Sequence, residues 1–250
     1  MDDTSLWIVV IAITLAAGFV KGAVGFAMPM LMISGLGSVL APELALAAII
    51  LPTLVSNIWQ ALRGGLGAAR AAFVDHWRYI VIVMLFIMGS AQLLTLLPAW
   101  LLYLILGVPV TGFAIAQLAG WSPRIPAHAR RRAELGIGAF AGFMGGMSGV
   151  WGPPTVMYLT ALDTPKAQQI RVQGVVYGMG SVMLLAAHLR SGVLNAQTLP
   201  LSAGLLVPAL AGMALGMAFC DRLDQARFKR LTLVVLVVAG ANLIRRGLMG

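Results

Sequence analysis

Charge is what this 250-residue sequence has least of: 10% of its residues are charged and 60% are hydrophobic. A soluble domain carries roughly 25% charged residues, so a water-facing globular chain is excluded. Acidic residues are scarcest, eight in all, with Glu43 and Asp163 at the ends of apolar blocks and none deep within one. That argues against an intramembrane carboxylate relay for protons and against an acidic cation site. Cysteine occurs once, as Cys220. No internal disulfide can form, and a lone cysteine in an apolar run reads as a small buried side chain. The three histidines, His76, His128 and His188, stand near block ends and do not cluster. HExxH, a P-loop and a serine–histidine motif are all missing. No metal site, no cofactor and no enzyme chemistry is therefore expected. Alternating strands of about ten residues are missing as well, which excludes an outer-membrane barrel. The start, MDDTSLWIVV, lacks the basic region of a secretory leader, and none is expected.

What the chain does have is a series of apolar runs. They cover roughly Leu6–Leu40, Leu44–Leu62, Tyr79–Leu97, Ala99–Ala119, Leu135–Leu162, Ile170–Leu189, Leu199–Phe219 and Leu231–Ile244. A run of about 20 apolar residues spans a bilayer as a helix. The fold class is all-α, polytopic and membrane-embedded, with the lipid bilayer as its solvent. The net charge of +9 lies in the short connections, as the positive-inside rule expects, and is not a nucleic-acid signal.

The first and fifth runs are longer, glycine-rich and interrupted, and they match each other. AGFVKGAVGFAMP (Ala17–Pro29) aligns with the second at an offset of 124. Ala17-Gly18-Phe19 meets Ala141-Gly142-Phe143, Gly22 meets Gly146, Gly25 meets Gly149, and Pro29 meets Pro153. A further echo, LRGG at Leu62 and LRSG at Leu189, needs an offset of 127, so a short insertion lies between. The chain reads as two homologous halves, residues 1–125 and 126–250. Gly/Pro-broken segments at corresponding positions of two halves point to a transporter's binding site; close helix packing is the other use of such glycines. If all eight runs cross the membrane, Lys and Arg divide 10 to 6 between the two sides, Lys21 omitted. If the two broken segments are re-entrant hairpins, the split is 13 to 3, with only Arg190, Arg245 and Arg246 on the poor side. The positive-inside rule selects the second arrangement. Each half then holds a hairpin and three transmembrane helices. Three is odd, so the halves form an inverted repeat.

Lys21 is the only charge between Ser5 and Val39. A lysine at membrane depth is expensive and marks a functional site unless it snorkels to an interface. Beside a helix break at Gly22 and Gly25, a cation and freed N–H groups attract an anion. The counterpart in the second half is Gly145, which makes the site asymmetric. The second break, GGMSGVWGPP, offers the Ser148 hydroxyl, the Trp151 indole N–H and open backbone at Gly146 and Gly149. All can donate, as oxyanion recognition requires. Pro153-Pro154 allow a helix to begin there, with the Thr155 and Val156 amides toward the tip. The run after each break carries a polar face: Thr53, Ser56, Asn57 and Gln60 in one, Gln173, Tyr177 and Ser181 in the other. A polar stripe in lipid must face protein or water; hydrogen bonding between helices without a ligand also satisfies it. Arg171 either closes an anion site or marks the membrane edge. The candidate substrate-binding residues are Lys21, Gly22, Gly25, Asn57, Gly146, Ser148, Gly149, Trp151, Arg171, Gln173 and Tyr177.

Those paired breaks, with GFMGGMSGVWGPPTVMYL followed by KAQQIRVQGVVYGMGS, resemble the sulfite exporter TauE/SafE family of membrane permeases over nearly the whole chain. The resemblance implies a multi-pass protein of the bacterial inner membrane that moves sulfur-containing anions such as sulfite or organosulfonates. The first half departs from the family's richer glycine run and adds Lys21. The reading is a secondary transporter working by alternating access around the broken helices. An anion channel and a carrier of another small organic anion are the alternatives. The partner is a small anionic substrate; the oligomeric state is left open, a homodimer among the options.

Overall fold

The computed structural model describes residues 3–90, 98–121, 124–148 and 151–249. Among these every regular element is helical: α1 (Asp3–Val24), α2 (Met28–Leu36), α3 (Pro42–Leu62), α4 (Gly65–Ser90), α5 (Ala99–Leu118), a 3-10 turn at Ala127–Ala129, α6 (Arg130–Ser148), α7 (Gly152–Ala161), α8 (Lys166–Arg190), α9 (Leu199–Gly204), α10 (Leu206–Asp221) and α11 (Gln225–Met249). Seven stretches of the described residues are long and apolar enough to cross a membrane: Thr4–Val24, Glu43–Leu62, Gly65–Ser90, Trp100–Leu118, Lys166–Arg190, Leu199–Asp221 and Gln225–Met249.

The boundaries follow from local chemistry. Pro42 opens α3, where a missing N–H costs nothing, and Glu43 sits against the positive end of the helix. Two prolines likewise open α7. A loop in which the Asn195 side chain accepts from the Gln197 and Thr198 amides leads into α9. Helix α4 is kinked at His76 (φ −121°, ψ 17°). Helix α1 ends at Val24 and α2 begins at Met28; α6 ends at Ser148 and α7 begins at Gly152; α3 begins at Pro42 and α8 at Lys166. Each pair is 124 residues apart, the offset of the sequence match. The arms of the first broken segment are unequal. Helix α1 has 22 residues, about 33 Å at 1.5 Å per residue; α2 has 9.

The chain forms two compact units: Met1–Leu66 with Gln173–Asp224, and Gly67–Val172 with Gln225–Gly250. Each takes elements from both sequence halves. In the first unit α1 lies directly on α10. A Cβ added to Gly18 or Gly22 would stand 2.3 or 2.2 Å from a carbonyl oxygen of α10, and one added to Gly212 or Gly216 would stand 2.0 Å from one of α1. This is small-residue packing of membrane helices, in which backbones meet because side chains are absent. Beside it Val10, Ala17, Met28, Met32, Leu36, Ala48 and Leu205 make an apolar core. In the second unit α5 meets α11 in the same way, through Gly107 and Gly240. Gly142 of α6 rests on the Val83 carbonyl of α4, and the Tyr79 and Tyr158 rings stack at 4.2 Å. Large apolar side chains stay exposed, among them Trp7, Ile8, Leu85, Val207 and Val238, as a lipid-facing surface requires. Cys220 is buried and, as the one cysteine of the sequence, forms no internal disulfide.

Candidate substrate site

The first unit gathers Lys21, Gly25, Asn57, Gln173 and Tyr177. Lys21 sits in the last turn of α1, 1% exposed. Its Nζ donates to Asn57 Oδ1 at 2.5 Å and lies 5.8 Å from the centre of the Tyr177 ring. Asn57 Nδ2 then donates to Ser181 Oγ (2.6 Å), and Ser181 Oγ donates to the Tyr177 carbonyl (2.5 Å). The two bonds of Asn57 fix its orientation, with its oxygen toward the amine and its nitrogen toward Ser181. Among the described residues no carboxylate pairs with Lys21. A protonated amine has three donors, and this chain uses one.

Gly25 makes the turn. Its φ is +87°, and a Cβ there would stand 1.9 Å from Gln173 Oε1. Only a residue without a side chain fits both the backbone angle and the space. The break leaves carbonyls at the end of α1, and two glutamines meet them. Gln60 Nε2 donates to the Gly25 oxygen at 3.0 Å. The Gln173 amide, turned to donate, reaches the Gly25 oxygen at 3.0 Å and the Val24 oxygen at 3.3 Å. Across the break α2 starts from Ala27 at φ 75° with no side-chain cap. Thr53, one turn before Asn57, is buried and its hydroxyl has no partner among the described residues.

The two polar faces are therefore turned inward: Thr53, Ser56, Asn57, Gln60, Gln173, Tyr177 and Ser181 are all buried. Gln60, Thr53 and Ser181 belong to the cluster although the candidate set had stopped at Asn57, Gln173 and Tyr177. The helical spacing of the stripes was their signal. Gly22 points at α10, 2.2 Å between its added Cβ and the Met213 oxygen; what it contributes is the closeness of the two helices.

The remaining candidates lie in the second unit. Gly149 falls outside the described residues, as does the side chain of Ser148. Gly146 and Trp151 are half-buried. Trp151 packs on Gly145, where a Cβ would meet the Trp151 Cβ at 2.9 Å. The position that holds Lys21 in the first half thus holds a glycine with an indole against it in the second. The Thr155 amide and hydroxyl both reach the oxygen of Trp151, the N-cap of α7, at 3.4 and 2.9 Å. Arg171 is half-buried near the start of α8.

The family profile described as Sulfite exporter TauE/SafE matches residues 10–243. The chain belongs to the TauE/SafE family. Neither a curated protein nor a solved structure matches it significantly. Membership, with seven helices among the described residues long and apolar enough to cross a membrane, makes this a multi-pass membrane transport protein of a family named for sulfite export.

This TauE/SafE chain also holds a buried acid that its sequence conceals. Glu134 is 1% exposed. It accepts from Arg130 Nε at 2.9 Å, from Arg78 Nη1 at 3.3 Å and from the Tyr158 hydroxyl at 3.3 Å. Tyr158 is 3.2 Å from His76 Nδ1 at the kink of α4, and Arg130 Nη2 donates to the Asp75 carbonyl at 2.6 Å. The carboxylate joins α4, α6 and α7 at the base of the second broken segment. Beside three consecutive arginines, Arg130 to Arg132, it reads from sequence as part of a solvated connection; its one signal is the four-residue spacing from Arg130.

Proposed function

We propose that this protein is a secondary permease for a small sulfur-containing oxyanion, sulfite or an organosulfonate, in the bacterial inner membrane. We place Lys21 at its substrate site. The observation that carries the reading is a buried lysine at a helix break with no carboxylate partner among the described residues. Burying a lysine in a membrane helix is costly, as much as about 2.5–3.5 kcal/mol at the helix centre, and Lys21 lies in the last turn of α1. One charge-assisted hydrogen bond, from Lys21 Nζ to Asn57 Oδ1, returns about 1.5–3 kcal/mol. That bond leaves two of the amine's donors unused and its charge without a carboxylate partner among the described residues. An oxyanion supplies the missing charge and takes the amine's other donors, with Thr53 and the uncapped start of α2 as neighbours.

The inverted repeat belongs to the same proposal. Asn57 and Ser181 occupy corresponding positions in the two halves, 124 residues apart, and hydrogen-bond to each other. Equivalent positions touch only near the axis that relates them. Substrate sites of repeat transporters lie at the interface of the repeats, and the Lys21 cluster draws Lys21 and Asn57 from one half and Gln173, Tyr177 and Ser181 from the other. Alternating access moves one repeat against the other around this site.

The test is uptake of labelled sulfite, and separately of one organosulfonate, into proteoliposomes at clamped potential, for wild type and Lys21→Ala. Saturable uptake of either anion by wild type and its loss in the folded variant is the expected result. Saturable uptake that survives in Lys21→Ala would move the site elsewhere. No uptake of either anion would overturn the substrate assignment, and non-saturating flux would make the protein a channel.

A further inference from the structure

The second unit has a groove of its own, lined by none of the residues of the Lys21 cluster. A groove of about 390 Å³ is walled by Gly112 and Phe113 of α5, Ile137 of α6 and Met157 of α7. Its volume falls in the usual range for small-ligand pockets, about 300–1,000 Å³. Trp121 and Arg124, which also line it, are each 69% exposed and so form its open rim. Arg124 is the one charged liner among the described residues.

Three observations say what fills it. The walls are apolar and belong to helices of a membrane-embedded protein, so the apolar occupant at hand is an acyl chain. The rim is positive. Arg124 pairs with Asp163 at 3.1 Å, and Lys229 reaches the same carboxylate at 3.9 Å; one acid between two cations leaves one positive charge. An exposed tryptophan beside an arginine at the end of an apolar helix is also the pattern of a headgroup-level anchor. By the Lys and Arg count along the sequence, Arg124 belongs to the basic-rich side, and basic pockets between membrane helices on that side suit anionic headgroups. Finally, the groove is open because Gly112 has no side chain. A Cβ added there meets nothing within 4 Å, so packing does not require the glycine.

We propose that this groove binds one anionic phospholipid, its acyl chain against Gly112, Phe113, Ile137 and Met157 and its phosphate at Arg124. The full-length protein, purified in detergent and exchanged with phosphatidylglycerol or phosphatidylethanolamine of equal chain length, is examined by native mass spectrometry. Wild type is expected to retain one phosphatidylglycerol about fivefold over phosphatidylethanolamine, the weight of one basic residue against an anionic headgroup. Arg124→Gln should remove that preference and keep residual binding of both lipids. Gly112→Leu, at an open helical position where folding is not at risk, should remove binding of both. Equal retention of the two lipids by wild type would overturn the proposal. So would a preference indifferent to both substitutions, or displacement of the lipid by inorganic phosphate alone, which would make the site one for free phosphate.

Discussion

Lys21 and Asn57 share one hydrogen bond but differ in what their loss removes. Lys21→Met takes away the charge that the anion needs, and loss of a partner from a close buried charge pair costs about 2–5 kcal/mol. Anion affinity should fall roughly a hundredfold in equilibrium binding, while the apolar replacement leaves the fold intact. Asn57→Ala removes the amine's acceptor and the bond to Ser181 but leaves the charge; the loss of the bond that positions the amine, about 1.5 kcal/mol, should weaken binding about tenfold. Equal losses in the two variants would mean that the amine acts through Asn57 and not on the ligand. Gly25→Ala is a different kind of change. It meets both a positive φ and the Gln173 side chain, and strain of this kind costs about 1–3 kcal/mol. The thermal midpoint in detergent should drop, and adding Gln173→Ala should relieve the clash while giving up that side chain's bonds to the Gly25 and Val24 carbonyls, so that recovery is partial. Much of this cluster was legible beforehand. A lone charge in an apolar run and polar residues at helical spacing are both strong signals. The depth of Gln60 and Thr53 in the cluster was not, because a stripe says which residues share a face and not which of them a lysine will reach.

Between elements, the close contacts divide into glycine seams and one buried charge cluster. Gly216 sits with its missing Cβ 2.0 Å from the Phe19 oxygen, whereas at Gly89 of α4 a Cβ meets nothing within 4 Å. Gly216→Leu must push α1 and α10 apart, an overpacking cost of about 1–3 kcal/mol or more; Gly89→Ala should show no loss. Thermal melts of the two in the same detergent check this, and matching drops would mean that the α1–α10 contact contributes nothing specific. Glu134→Ala strips the acceptor from Arg78, Arg130 and Tyr158 together. Breaking a buried ion pair costs about 3–5 kcal/mol, but the arginine side chains are 47% and 40% exposed and can turn to water, so about 2 kcal/mol is expected. The same melt measures it, and Arg130→Ala should cost more than Arg78→Ala, since Arg130 also holds the Asp75 carbonyl at the kink. Neither feature could be read as a pairing from the chain alone. A glycine seam marks a surface without naming its partner, and Glu134 is masked by the arginines around it.

For the whole molecule, the interruptions of helix fall where the sequence repeat puts them, but the compact units cut across the halves. A duplication records similarity along the chain; packing chooses partners by surface, and α1 packs on α10 from the other half. Helix length adds a further point. Helix α1 is long enough to cross by itself, so the re-entrant reading of the first break rests on charge asymmetry. That asymmetry does not separate the two choices, because no Lys or Arg precedes Lys21. If α1 turns back, or if it crosses and α2 stays on the far side, the other helices keep their sidedness and the 13 to 3 split is unchanged. Only the N-terminus moves. In both cases the C-terminus lies outside, and a C-terminal reporter that fluoresces only in the cytoplasm should be dark. The same reporter on the N-terminus decides between them. An inverted repeat needs the first broken segment to enter from the side opposite the second, which places the N-terminus outside and the reporter dark. A bright N-terminal fusion with a dark C-terminal one would make α1 a full crossing and remove the inverted symmetry, while leaving Lys21 buried at the end of that helix. A bright C-terminal fusion would overturn both.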